Sequence, residues 1–528
     1  MKYLIQSLAT FLGLYGLVFA VADALYFQRS ISPTWIVALA GTLVTLQYLL
    51  SPWFIRNLLN IDWDDDGSAL PARNRQFLEQ LCARHGLTVP QIGVIHASMP
   101  NAFAFGRTRS DAGIVVTSSL LERLTPDEVN AVIAHELGHI KNWDFLAMTL
   151  AALAPLLLYQ LYSFARRGKE EHWATWASYA AYWVAEFLVL SLSRTREYAA
   201  DHFAAQTTGQ PGLLASALIK IGYGIGLAEH ELAGAAKSED EGVKANAVAQ
   251  RRISGTIGVL GISNGNGALA LSGLAPGAAG SVMLWDMVNP WALVYEIGST
   301  HPLMAHRIDA LNRQAQQLGQ PVEYPVPRAP MQWGRFPLEL FLWAAPWTLF
   351  AALSIITALH RVQLIAAPHL LGETIVFAFL ATWIARIWYR YQTPFAPATF
   401  AALLANTSVS NIRPIAVRVE AEILGPAEPE AFWSPDLMLR DETGRMFLLD
   451  RQSIPLMRLI NGLQVDDLTG QRVVVRGWYR RGPIPYLEMS SLQTADGQTR
   501  RSWSRWIQAG LAFAATAFLL WQVQRWPH

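Results

Sequence analysis

The sequence predicts a mainly α-helical polytopic membrane protein that holds an α+β block built round a metal-binding helix and, near its C-terminus, a small β-barrel of OB-like kind. Three observations predict it. Hydrophobic residues make up 52% of the 528 and charged residues only 15%, with 20 tryptophans, which is less charge than soluble domains carry. Apolar stretches of membrane-spanning length recur along the chain. The polar blocks between them include one with two histidines a helical turn apart and one that alternates like β-structure. The net charge of +1 gives no pointer to nucleic acid. The single cysteine, Cys82, excludes an intramolecular disulfide and any CxxC metal site.

Taken in order, residues 4–27 are apolar, with Lys2 before and Arg29 after. A signal peptide cleaved near Ala20-Val-Ala22 is the competing reading. The run is longer than a usual signal core and a second apolar stretch, 35–55, follows a short loop, so residues 1–60 are expected to form a retained transmembrane hairpin. Ile61-Asp-Trp-Asp-Asp-Asp-Gly67 marks the exit to water and opens a first polar block, 61–144. Within it, residues 70–85 read as a helix, and 91–96 and 113–117 as strands.

The same block contains Asn130-Ala-Val-Ile-Ala-His-Glu-Leu-Gly-His-Ile-Lys-Asn-Trp-Asp144. Leu124-Thr-Pro-Asp-Glu128 before it is a helix start: Thr125 as N-cap, Pro126 at the first helical position, Glu128 closing a capping box. Val129, Val132, Ile133 and Leu137 recur at helical spacing, so His135 and His139 share one helix face and can reach one metal ion. Glu136 stands beside them as candidate general base for a metal-activated water. A catalytic zinc takes three protein ligands and keeps one position for water. The extended pattern H-E-x-x-H-x-x-G-x-x-H fails, because Asn142 and Phe145 fill its last two fixed positions. Ser193-Arg-Thr-Arg-Glu-Tyr-Ala-Ala-Asp201 offers Glu197 as third ligand, with Asp201 one turn on to orient a ligand histidine. His202 and Asp144 are rival ligands.

These stretches, with Asn101-Ala-Phe-Ala-Phe-Gly106 and Ser299-Thr-His-Pro302 followed by Arg307, resemble the membrane-embedded zinc metallopeptidases of the HtpX type. Those are gluzincins related to the CAAX prenyl endopeptidases. The resemblance covers roughly residues 1–325. It implies a zincin-like catalytic domain in which His135, His139 and Glu197 bind one Zn2+ per chain and Glu136 is the catalytic acid/base. It also implies a polypeptide substrate cut at the membrane surface. Asn101, Ala102, Phe103 and Ala104 are then expected near the zinc, on an edge strand to which an extended substrate adds. His301 or Arg307 is expected to stabilise the oxyanion, each with a helix-cap or ion-pair role as the plainer alternative.

Residues 145–164 and 173–192 are apolar and read as a second hairpin, 145–192, that joins the two zinc motifs. Glu186 lies inside it. Block 193–335 completes the catalytic part. It holds a helical pattern at 213–227 and an Ala-, Gly-, Ser- and Asn-rich stretch at 233–280, read as a tolerated insertion rather than a lid. A third hairpin, 336–392, comprises apolar runs 338–359 (with Pro346) and 374–388. The β-patterned block 400–500 is read as the OB-like barrel. In it Val475-Arg-Gly-Trp-Tyr-Arg-Arg481 has the mix of a nucleic-acid platform, but acidic residues offset it and a barrel strand with substrate or partner docking is preferred. A last span, 505–523, follows Arg500 and Arg501.

About seven spans counted from a cytoplasmic N-terminus put both blocks and the barrel on the cytoplasmic side of the cell (inner) membrane. Arg194, Arg196, Arg386 and Arg390 agree with this, whereas Arg166, Arg167 and Lys169 oppose it. The expectation is therefore an integral membrane zinc endopeptidase that acts on misfolded or damaged membrane proteins. Its partners are polypeptide substrates and the lipid bilayer, with no nucleic acid. A processing enzyme for prenylated or other defined peptides and a non-catalytic zinc-binding scaffold are the alternatives.

Overall fold

The computed structural model describes residues 33–59, 61–64, 69–165, 173–222, 279–361, 369–426, 436–451, 468–482 and 484–526. The expected span 4–27, the loop with Arg166, Arg167 and Lys169, and all but the end of the 233–280 stretch lie outside the described residues. The chain divides into two compact units, residues 1–272 with 293–327, and residues 273–292 with 328–528.

In the first unit, α1 (Pro33–Leu58) exposes Leu46, Leu49, Trp53 and Phe54. β1 (Asp62–Trp63) and α2 (Ala72–His85) follow, and α2 ends where Gly86, at φ 62°, caps it in the left-handed region. Three more strands complete a sheet: β2 (Gln91–Ile95), β3 (Ala102–Phe105) and β4 (Gly113–Thr117). Its order is β1-β2-β4-β3, with β2 and β4 parallel and β3 antiparallel to β4. The strand at 102–105 lies at the open edge of the described sheet. The helices that follow are α3 (Ser118–Arg123), α4 (Pro126–Lys141), α5 (Asp144–Ala165), α6 (Trp173–Thr208) and α7 (Pro211–Gly222). After α8 (Ala279–Val288) of the second unit, α9 (Pro290–Ile297) leads into α10 (Met304–Gln317).

The second unit continues with α11 (Phe336–Arg361) and α12 (His369–Arg390), then β5 (Ala396–Pro397), α13 (Phe400–Leu404) and a barrel. Among the described residues three helices are long and apolar enough to cross a membrane: Trp333–His360, His369–Arg390 and Ser504–Val523. Helices also stand at the expected spans in α1, α5 and the first half of α6. At Gly372, α12 meets the C-terminal helix, since an added Cβ would stand 2.7 Å from a Val523 methyl. Val376, Phe379, Leu519 and Val523 pack there. Leu370, Phe377, Trp388, Leu511 and Phe513 remain exposed, a surface that suits lipid rather than water. The protein is an integral membrane protein.

The barrel consists of β6 (Ile415–Pro426), β7 (Leu437–Arg440), β8 (Arg445–Leu449), β9 (Arg472–Arg481) and β10 (Pro485–Thr494). β6 pairs with both β7 and β9, β7 with β8, β8 in parallel with β10, and β10 with β9, so five strands close on themselves in OB-like order. A short β11 (Thr499–Arg501) extends β10 and runs into α14 (Ser504–Val523). The basic run at 475–481 is largely internal. Arg480 is fully buried and donates to Glu488 (2.5 Å), to Asn411 O and to Arg390 O (both 2.9 Å). Arg481 donates to Leu404 O at 2.6 Å, and its guanidinium lies over the Trp285 ring.

Candidate metal centre

The site rests on how α4 is begun and how closely it approaches α6. Thr125 Oγ1 accepts the Glu128 N–H and Glu128 Oε2 accepts the Thr125 N–H, the reciprocal box the sequence announces. Glu128 also receives Ser216 Oγ (2.6 Å) and Lys220 Nζ (2.8 Å) from α7, which ties the start of α4 to its neighbour. Val129, Val132, Ile133, Leu137 and Ile140 are buried, each contributing about 1.5–3 kcal/mol by area. Gly138 faces α6: a Cβ there would stand 3.1 Å from Ala200 Cα. The missing side chain lets the two helices approach closely enough to share a ligand set.

His135 and His139 of α4 and Glu197 of α6 bring one ligand atom each within 4.8 Å of one another. The two Nε2 atoms are 3.2 Å apart, and Glu197 oxygens lie 3.7 Å from each. The far side of each ring meets a carboxylate. His135 Nδ1 is 2.9 Å from Asp201 Oδ1, and His139 Nδ1 is 2.6 Å from Asp144 Oδ2. When both imidazoles are neutral with the proton at Nδ1, each Nε2 keeps a lone pair for one shared cation. Lone pairs so placed repel unless a cation lies between them. Two nitrogens at zinc-ligand distance, about 2.0–2.1 Å, in tetrahedral geometry stand roughly 3.3 Å apart, close to the separation observed. Glu197 Oε2 is buried and accepts no hydrogen bond among the described residues. The residues fit one metal ion.

Glu136 is buried next to the pair, where burial raises its pKa and the backbone N–H of Ala104 acts to lower it. Asn101 and Thr117 are a hydrogen-bonded pair of the ladder, so by alternation the Ala104 N–H points to the open edge of β3 rather than to β4. Asn101 holds the strand's start: its N–H donates to Thr117 Oγ1 and its side-chain oxygen accepts the Ala102 N–H. Ala102 and Phe103 are buried in the sheet.

Arg307 of α10 is buried and grips Asp201 with Nε (2.8 Å) and Nη2 (2.6 Å), while Nη1 lies 3.3 Å from Glu197. His301 Nδ1 lies 3.3 Å from the other Glu197 oxygen. Burial works against the charge on Glu197, but His301 and Arg307 hold its carboxyl well below the usual range. Burial likewise opposes the Asp201 charge, and Arg307 lowers its pKa in spite of it. His135, Glu136, His139, Glu197, Asp201, His301 and Arg307 thus stand in one place, while Phe103 packs in the cluster of Ile95, Ala97, Phe105 and Val115. Of the rival ligands, Asp144 orients His139 instead, and His202 is exposed and bonded to Gln314.

Some contributors have weak sequence signals. Asp144 is turned back to His139 because Trp143, at φ 59°, reverses the chain between α4 and α5. Arg196 then pairs with Asp144. Arg194 donates to three carbonyls, Glu296 (2.8 Å), Ile297 (3.1 Å) and Ser299 (2.7 Å), and so pins the segment before His301. Glu296 accepts the Leu303 N–H and pairs with His306 on the other side of that segment. Of these, the sequence singles out Asp144, as a rival ligand, and the basic pair Arg194/Arg196.

A model of peptidase family M48 matches residues 71–315. A protease HtpX homologue from Methanothermobacter thermautotrophicus is 36% identical over 217 residues, which cover 40% of this chain and 83% of that one. Another from Moorella thermoacetica is 34% identical over 215 residues, covering 38% and 70% respectively. With 32% identity over 200 residues, protease HtpX homologue 2 of Methanosarcina acetivorans is covered over 67% of its length. The stretch matched by the family model contains His135, His139 and Glu197, and the chain belongs to peptidase family M48, the HtpX-like metallopeptidases.

Proposed function

We propose that the protein is a zinc endopeptidase, with one Zn2+ per chain, that cuts unfolded or damaged membrane proteins on the cytoplasmic side of the cell membrane. The observation that carries this reading is the pair of opposed imidazole Nε2 atoms 3.2 Å apart, closed by Glu197 and flanked by buried Glu136. Zinc, when bound, supplies an acidified water and polarises the scissile carbonyl. Glu136 takes the proton of that water and returns it to the leaving amine. Its burial-raised pKa brings it nearer the working range of a base that must also act as an acid. The open edge of β3 at Ala102, Phe103 and Ala104 receives the substrate as an added strand, with Asn101 fixing its register. Backbone pairing makes few demands on side chains, which suits damaged proteins of varied sequence. His301 serves the oxyanion. Arg307, gripping Asp201 and facing Glu197, orients the ligands rather than touching substrate.

The test is zinc content and cleavage of a misfolded membrane protein, beside a prenylated peptide, by wild type and Glu136→Gln. The expected result is equal zinc in both and cleavage of the membrane protein by wild type alone, the variant falling by about 10²–10⁴. Turnover confined to the prenylated peptide would replace the quality-control reading with that of a processing enzyme.

A further inference from the structure

We propose that the outer face of the barrel beside α14 is a binding site for the phosphate headgroup of an anionic phospholipid. A cavity of about 460 Å³ lies there, within the usual range of small-ligand sites, about 300–1,000 Å³. Its floor is set by register. Arg476 of β9 lies opposite Ser491 of β10, and Ser491 opposite Arg501 of β11, so three adjacent strands present Arg-Ser-Arg in one row. The next row on the same face, Val474, Gln493 and Thr499, adds an amide and a hydroxyl. Directly opposed residues project from the same face of a sheet, and strand spacing puts the two arginine Cα atoms roughly 10 Å apart. A phosphodiester between them can be approached from both sides. Among the described residues that line the cavity none is acidic. The neighbouring Arg418, on β6 opposite Arg476, pairs with Glu420 at 2.7 Å.

The position selects the ligand's source. The rim is formed by Trp503 and Trp506, 51% and 66% exposed, where the chain passes into a helix of membrane length. Tryptophans at such a point sit at headgroup level, and basic pockets at that level recognise anionic lipid. An OB-type oligonucleotide surface would use the face of the second and third barrel strands, here β7 and β8, which contribute nothing to this cavity.

The experiment is native mass spectrometry of the full chain released from mixed vesicles of phosphatidylglycerol and phosphatidylcholine. It compares wild type, Arg476→Gln/Arg501→Gln, and the charge-matched control Arg418→Gln/Arg440→Gln. Wild type and control are expected to retain phosphatidylglycerol over phosphatidylcholine, and the site variant to lose that preference on the order of tenfold. Arg476→Glu, at an exposed position, is expected to do the same should the double variant unfold. Equal loss in the control would mean diffuse charge, and an unchanged preference in both site variants would mean no site; either overturns the proposal. Displacement of the lipid by glycerol phosphate at equal concentration would overturn it in favour of a soluble phosphate ligand. Displacement by a single-stranded oligonucleotide from wild type but not from the variants would assign the face to nucleic acid.

Discussion

Two buried charge networks, one in each unit, are built from the same side-chain types and end differently. In the barrel, Glu488 accepts Arg480 on one oxygen and Tyr391 on the other, and Arg480 spends its remaining donors on backbone carbonyls. The network closes. In the catalytic unit Arg307 with Asp201, and Asp144 with His139, pair in the same way until the innermost layer. There the two Nε2 atoms stand 3.2 Å apart and, among the described residues, His135 Nδ1 and Glu197 Oε2 have no hydrogen-bond partner. Buried polar groups are normally satisfied, so the closed network reads as structure and the incomplete one as a place for an ion. The difference is a more discriminating signal than burial or charge alone.

The comparison can be broken from either side. The largest stability effect is expected in the closed network. Glu488→Ala strands a buried guanidinium and should destabilise the protein by about 3–5 kcal/mol, read as a lowered unfolding temperature in detergent. Zinc per folded molecule should stay unchanged. Asp201→Asn should do the converse, weakening zinc binding about 10–100-fold by loosening His135, measured by competition with a chromogenic chelator. If Asp201→Asn leaves the metal affinity intact, the outer carboxylates are structural in both units and the contrast fails. The smallest effect is expected at Thr125→Ala, which removes the cap of α4 at about 1 kcal/mol. Chemical denaturation should detect it while cleavage per folded molecule holds.

What the sequence made legible was whatever is local. The capping box, the two histidines and the Glu197/Asp201 pair each fall within one or two helical turns, where spacing alone decides the face. OB-like closure was legible as alternation, without its pairing. The partner of Asp201 was not, because Arg307 lies 106 positions away and nothing in its surroundings distinguishes a carboxylate clamp from an oxyanion donor. Asp144 was misplaced among possible ligands since a tryptophan in the left-handed region cannot be foreseen from spacing. Arg480 and Arg481 looked like surface charge because their partners, Glu488 and Leu404 O, are supplied by other strands and helices.

The open edge of β3 has a second consequence. An unpaired strand edge accepts any extended backbone, including that of another copy of the same protein, and so invites aggregation. Here the edge is only four residues long, its Ala102 N–H is already taken by the Asn101 side chain, and the Glu136 carboxylate lies by the N–H of Ala104. An arriving strand must compete with a carboxylate and finds little length over which to pair. Chain-to-chain growth needs a long, regular ladder, whereas a single passing polypeptide needs only a few bonds. The same brevity that makes the edge a poor seed for fibrils would let a cleaved strand leave.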